Sequence, residues 1–139
     1  MAPPVDINYI AVVGAAVAAM VIGFLWYGPL FGKQWMKLMN FDKKKIDEAK
    51  RKGMGKIYAL TFLSSLIMSY ILAHFVDYVQ AATFVDGAIA GIWLWLGFIV
   101  TVQIGSVLWE GKPLKLYVIN TMHYLVALTV MGGILAVWV

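Results

Sequence analysis

Three side chains with hydrogen-bonding groups lie within the apolar second half of the chain, at a spacing that could build a polar site. Gln103 lies in one apolar segment, and Asn120 and His123 lie three residues apart in the next. Polar groups in hydrocarbon cost free energy unless they are paired, and a histidine can exchange a proton near neutral pH. These three residues are therefore the candidate polar intramembrane site.

The three side chains lie at similar depths in their predicted helices. At 1.5 Å per residue, Gln103, Asn120 and His123 lie ~9, ~7 and ~12 Å from the helix ends that meet at residues 110–114. So short a turn makes the two helices antiparallel neighbours. One interpretation is a polar pocket, or part of a permeation path, that opens toward the cytoplasm. The other is a structural hydrogen bond between Gln103 and Asn120 worth ~0.6 kcal/mol.

Four apolar segments position these residues. Each reaches the ~20 residues that a helix needs to cross a ~30 Å hydrocarbon core. They run from Ile7 to Leu30, Lys56 to Tyr78, Asp86 to Trp109 and Lys115 to Trp138. Of the 139 residues, 63% are hydrophobic and 13% are charged, against ~25% charged in soluble domains. The sequence predicts an all-α polytopic integral membrane protein, with four transmembrane helices in a single membrane domain, residues 1–139.

The basic residues are confined to two connections between these segments. Nine of the 11 Lys and Arg residues lie from Lys33 to Lys56, and the other two are Lys112 and Lys115. Because short basic loops stay on the cytoplasmic side, we expect a multi-pass protein of the cytoplasmic (inner) membrane with its N-terminus and C-terminus both outside. The net charge of +4 then reflects topology, and we predict no nucleic-acid partner.

Aromatic residues indicate where the spans meet the membrane surface. Trp26, Tyr27, Trp35 and Trp109 carry amphipathic rings that suit the headgroup level, so we predict that they are interfacial anchors. Apolar residues alternate with lysines after the first span. We therefore expect residues 31–55 to form a short amphipathic cytoplasmic helical segment between the first two transmembrane helices.

The basic part of this segment has two interpretations. Asp42 can cap a charged helix, "KKKIDEAKRKG", in which acids and bases lie four residues apart. In the functional interpretation, the segment from Lys33 to Lys56 contacts anionic lipid or a protein partner. In the other, it is a solvated loop that only sets the topology. Membrane lipids are the expected partners in either case.

Small residues recur every four residues in the apolar segments. The ladders are Thr61, Ser65, Ser69 and Ala73 in the second segment and Gly97, Thr101 and Gly105 in the third. Such ladders let helix backbones approach closely. We predict that the Gly97, Thr101 and Gly105 face is a helix-packing face between the subunits of a homo-oligomer.

Several motifs resemble those of one family. They are "LWYGPLFGKQWM", "WLGF" at Trp95 to Phe98, and "EGKPLKLYVIN" followed by a last apolar helix. Together they resemble the DUF1761 family, which comprises small four-span bacterial and archaeal membrane proteins of unknown function. The resemblance covers nearly the whole chain and implies the four-span fold. It implies no catalytic residue, substrate or cofactor.

The sequence lacks the motifs of the common enzyme classes. It has no phosphate-binding glycine loop, no HExxH, no acidic pair within a span and no nucleophile with a base, and it has no cysteine. We therefore predict that the protein is not an enzyme and needs no cofactor or metal. The expected function is that of a structural, accessory or scaffold protein that assembles as a homo-oligomer. The alternative is a small oligomeric channel or transporter with a polar layer in the third and fourth helices.

Overall fold

The computed structural model describes residues 5–138, which form helices and no strand. Four helices are long and apolar enough to cross a membrane, and we name them spans 1 to 4. They are Tyr9–Leu30, Gly55–Tyr78, Phe84–Leu108 and Leu114–Val137. The predicted all-α, four-span fold class is therefore confirmed. The chain ends on which the predicted orientation partly rests, residues 1–4 and 139, lie outside the described residues.

Side-chain caps determine where two of the spans begin. The Thr83 hydroxyl accepts a hydrogen bond from the Asp86 amide at 3.1 Å, which is the typical geometry of a helix cap. Span 3 therefore begins at Phe84, two residues before the predicted start at Asp86. Asn8 caps span 1 in the same way.

Span 4 is the central helix of the bundle, because it packs against spans 1, 2 and 3. Spans 3 and 4 approach so closely that a side chain on Gly87 would collide with the backbone of Gly132. A side chain on Gly91 would collide in the same way with the Leu128 carbonyl. Small residues thus serve close backbone packing within the chain.

Spans 1, 2 and 4 form a tightly packed core in the half of the bundle that is distant from the lysines. Ala15 of span 1, Ser69 of span 2 and Met131 of span 4 are each 0% exposed. The Ser69 hydroxyl donates a hydrogen bond to the Val12 carbonyl at 2.8 Å, so this buried polar group is satisfied. Packing therefore closes this half of the bundle.

Spans 1 and 3 each contain a π-helical turn, Trp26–Leu30 and Trp95–Val100. The tryptophan that opens each turn donates its indole N–H to span 4, to the Ile119 carbonyl at 3.0 Å and to the Thr121 carbonyl at 2.6 Å. Two residues turn a helix by about 200°, so these bonds reach span 4 from opposite sides. These bonds fix the positions of spans 1 and 3 against span 4. They also fix the rotation of span 4 about its own axis.

Both lysine-bearing connections lie at one end of the bundle, which we call the basic end. Lys37 of the first connection and Lys112 of the second line the same cleft. The first connection contains a short helix, Gly32–Leu38, and a charged helix, Lys43–Lys52, which is capped by Asp42. The position of these two helices relative to a membrane surface stays a prediction.

Candidate functional site

A cavity of about 320 Å³ lies between spans 1, 2 and 4, nearer the basic end. It extends from Tyr58, in the first turns of span 2, to Ala19 and Met68, where the packed core begins. The polar side chains that line it are Tyr27, Tyr58, Thr61, Ser64, Ser65, His123 and Tyr124. None of the lining residues carries a carboxylate, an ammonium or a guanidinium group. The cavity is thus a polar but uncharged site within the spans.

His123 is the most unusual residue of this cavity. Its Nδ1 and Nε2 atoms are both buried, and neither has a hydrogen-bond partner within residues 5–138. Aromatic rings surround the imidazole, with centroids at 4.7 Å for Tyr124, 5.0 Å for Tyr27 and 6.3 Å for Trp26. Leaving a buried polar group unpaired costs ~1–3 kcal/mol. An unpaired histidine inside a membrane span is therefore a candidate binding group.

Asn120 lies one turn from His123 and bonds to span 1. Its Oδ1 accepts a hydrogen bond from the Tyr27 hydroxyl at 2.8 Å. Beside it, the carbonyl of Ile119 accepts the indole N–H of Trp26. The structure thus brings Asn120 and His123 together with two aromatic side chains of span 1.

Gln103 is separate from this group. Its side chain is half-buried in span 3, makes no hydrogen bond with any described residue and does not line the cavity. The predicted hydrogen bond between Gln103 and Asn120 is therefore not formed, because Asn120 pairs with Tyr27 instead.

The rotation of span 4 about its axis explains why Asn120 pairs with Tyr27 and not with Gln103. Its face toward span 3 carries Thr121, Leu128 and Gly132, which lie seven and four residues apart. Asn120 and His123 belong to a different face, which meets span 1. Spans 3 and 4 are neighbours as the short turn predicts, but the polar residues of span 4 face elsewhere.

The Gly97, Thr101 and Gly105 ladder lies on the outer surface of the bundle. A methyl group placed on Gly97 would have no atom within 4 Å, and one on Gly105 would meet Trp109 of the same span at 3.9 Å. Thr101 is exposed, and its hydroxyl donates to the Gly97 carbonyl at 2.6 Å. The ladder therefore packs against no other helix of the described chain, and its use between the copies of a homo-oligomer stays a prediction.

The predicted interfacial anchors divide into two groups. Trp109 is 89% exposed and Trp35 is half-buried, both at the basic end. Trp26 and Tyr27 instead turn into the bundle, where both donate hydrogen bonds to span 4. Their ring N–H and hydroxyl groups therefore join two helices, and whether these half-buried rings also lie at the headgroup level stays a prediction.

Histidine and acidic residues are scattered through the described part of the chain. Within residues 5–138, no three His, Cys, Asp or Glu side chains are grouped so that they could hold a metal ion. His74 lies outside the cavity, and its Nδ1 is 2.9 Å from the Tyr70 carbonyl of the same helix. The two histidines thus occupy different environments.

The sequence did not predict that side chains of span 2 line the cavity. Thr61 and Ser65 line the cavity, whereas Ser69 and Ala73, on the same ladder, are buried in the core. The four-residue spacing revealed a common face. It did not reveal that half of this face lines a cavity.

We expect Tyr27 and Asn120 to be energetically coupled. Replacing Tyr27 with Phe, or Asn120 with Leu, removes one partner of a half-buried hydrogen bond and should destabilise the fold by about 1 kcal/mol. The double variant should lose less than the sum of the single variants, with a coupling free energy of ~0.6 kcal/mol. Reversible unfolding in mixed detergent micelles measures all three free energies. Gln103→Leu combined with Asn120→Leu is the control, and coupling in that pair alone would contradict the observed pairing.

The chain matches a known protein family along most of its length. The family model DUF1761, described as a protein of unknown function, matches residues 10–136. No match was found among curated proteins or among solved structures. The match covers all but the ends of the chain and includes both π-helical turns and every polar residue of the cavity. The chain therefore belongs to the DUF1761 family.

Proposed function

We propose that this protein is a non-enzymatic accessory protein of the membrane that binds a small uncharged molecule in the cavity at His123. One observation carries the proposal: both ring nitrogens of His123 are buried without a partner in the described chain, beside a cavity of about 320 Å³. Binding sites for small molecules are concave and mostly apolar, with a few polar groups that orient the ligand. The cavity has these properties.

The lining residues favour a particular chemistry in the ligand. No charged side chain faces the cavity, so a charged ligand would lose its hydration without an ion pair in return. Within the described chain, the hydroxyls of Ser64, Ser65 and Tyr124 make no hydrogen bond, so they are available to a ligand. The ring nitrogens of His123 are buried, so a ligand reaches them only when a neighbouring side chain moves. We therefore expect an uncharged molecule with a hydroxyl or carbonyl group on an apolar ring.

A catalytic role has less support. A histidine that acts as a general base is usually oriented by a hydrogen bond from a third group. His123 has aromatic neighbours instead, and no acid lines its cavity. Binding without chemistry fits this environment better.

Transport is the second candidate, and the π-helical turns favour it. Such turns are frequent at functional sites. Here only the turn in span 1 reaches the cavity, through Tyr27, whereas the turn in span 3 lines no part of it. A path across the membrane would also require spans 1, 2 and 4 to separate at Ser69 and Met131, which are fully buried. We therefore rank a small oligomeric channel or transporter second.

We also propose that the basic end faces the cytoplasm, with both termini outside. Both lysine-bearing connections lie at this end, and basic loops resist translocation. In this orientation the cavity lies in the cytoplasmic half of the membrane.

Phenol and benzene test the proposed binding chemistry, because they have similar rings but only phenol carries a hydroxyl. In protein labelled with ¹⁵N-histidine, phenol should shift the ring signals of His123 in a saturable manner, and benzene should not. His123→Leu should weaken phenol binding about tenfold, the equivalent of one hydrogen bond of ~1.4 kcal/mol. NMR in nanodiscs and thermal unfolding measure these effects.

His74 serves as the internal control, since its signal should not respond to phenol. Equal responses to phenol and benzene, or none to either, would contradict the proposal. A pH-dependent ion flux in proteoliposomes that His123→Leu abolishes, without phenol binding, would establish the transport alternative instead.

We propose further that the protein is a homo-oligomer that packs through the Gly97, Thr101 and Gly105 face. This face is exposed and lacks the large side chains that would keep a second helix at a distance. Phe98 and Val102, which are also exposed, could extend the contact.

Gly91 provides a matched comparison for this interface. Gly97→Leu should leave the subunit folded, because its position is open, but should weaken self-association about tenfold. Gly91→Leu should lower the free energy of unfolding by ~1–3 kcal/mol, because its side chain would meet the Leu128 carbonyl. Sedimentation in detergent and thermal unfolding distinguish the two effects. Unchanged association of the Gly97→Leu protein would place the interface elsewhere.

A further inference from the structure

A second cavity, a cleft of about 710 Å³, lies at the basic end outside the bundle core. It is bounded on one side by the short helix Gly32–Leu38 and the turn that follows it, and on the other by the connection between spans 3 and 4. Asn40 and Gly111, which line it, have φ angles of 58° and 68°. This left-handed conformation is favourable for glycine and tolerated by asparagine. Two tight turns thus place distant parts of the chain side by side.

The cleft gathers positive charge from both connections. Lys37 comes from the short helix, and Lys112 and Lys115 come from the connection between spans 3 and 4. No acidic residue lines the cleft, and Glu110, the acid nearest along the chain, is exposed and is not among the lining residues. Like charges brought together repel one another, and an anion bound between them would relieve this repulsion.

Other donors at the cleft suit a phosphate group. The side-chain amides of Gln34 and Asn40 line it beside the lysines. Span 4 begins at Leu114 without a side-chain cap, and the amides of Leu116 and Tyr117 donate to the Pro113 carbonyl. The amides of Leu114 and Lys115 are therefore the ones that could face an anion at the edge of the cleft. Helix N-termini and lysines are both common phosphate-binding groups.

The surroundings of the cleft indicate a phosphate that belongs to a lipid. The apolar side chains of Leu38 and Met39 line it together with the lysines. Trp35 and Trp109 lie in the flanking elements, and tryptophan favours the headgroup level of a bilayer. We propose that this cleft binds the headgroup of an anionic glycerophospholipid, with the lysines on the phosphate and the apolar side chains beside the glycerol backbone.

This site differs from the charged helix Lys43–Lys52. That helix has more basic residues, but it also carries Asp47 and Glu48, and its charged side chains are exposed. In the cleft, three exposed lysines from two separate connections line one concave surface, and no acid lines it. Specific lipid binding should therefore depend on the cleft, although the charged helix contributes more of the net positive charge.

The test compares two triple variants with the same change in charge. One carries Lys37→Gln, Lys112→Gln and Lys115→Gln. The control carries three substitutions on the charged helix, Lys43→Gln, Lys44→Gln and Lys50→Gln. The full-length protein in a neutral detergent is titrated with phosphatidylglycerol, phosphatidylcholine, glycerol phosphate or inorganic phosphate, and bound lipid is counted by native mass spectrometry.

We expect phosphatidylglycerol to bind at least about tenfold more tightly than phosphatidylcholine. The cleft variant should lose about tenfold or more of this affinity, and the control about twofold or less. Equal losses in the two variants would overturn the proposal in favour of general electrostatic attraction. Glycerol phosphate or inorganic phosphate binding as tightly as the lipid would overturn the lipid assignment and indicate a soluble anion. If the cleft triple variant unfolds, Lys112→Gln alone should weaken lipid binding about threefold, and no loss would contradict the proposal.

Discussion

Hydrogen-bonding groups inside hydrocarbon must find partners within the protein, and in this bundle span 4 satisfies that requirement for its neighbours. Trp26 and Tyr27 donate to it from span 1, and Trp95 donates to it from span 3. Tyr117 of span 4 in turn donates to the Val100 carbonyl at 2.8 Å, at the end of a π-helical turn. Because these bonds arrive from opposite sides, they fix the rotation of span 4. That rotation decides which of its residues face the cavity.

Buried polar groups have different environments in the two halves of the bundle. In the half away from the lysines, the Ser69 hydroxyl is paired and its surroundings are fully packed. In the other half, His123 has no partner in the described chain and lies beside open volume. A contrast of this kind within one set of three helices supports a binding role for the open half. The lysine-lined cleft lies outside the core, at the basic end, so it would bring a lipid phosphate to the same half of the molecule.

Composition was sufficient to predict the four spans, because apolar length and charge depletion depend on the sequence alone. Hydrophobic spacing could not give the direction of each helical face. For that reason, the predicted pairing of Gln103 with Asn120 failed, although their spans are neighbours. Likewise, the ladder with Thr61 and Ser69 marked one face of span 2, but whether such a face packs or lines a cavity depends on the side chains opposite it. The close contact of Gly91 with the Leu128 carbonyl depends on how the spans pack, which the spacing of glycines does not give.

Binding at His123 requires that small molecules reach the cavity and stop at the packed core, and cysteine labelling measures this access directly. The natural chain has no cysteine, so Ser65→Cys and Ser69→Cys place single thiols one helical turn apart on span 2. A membrane-impermeant thiol reagent is applied to membrane vesicles of each orientation. We expect the Ser65→Cys thiol to react from the cytoplasmic side and the Ser69→Cys thiol to react from neither side. An unreactive thiol at position 65, or one that reacts only from outside, would contradict this expectation.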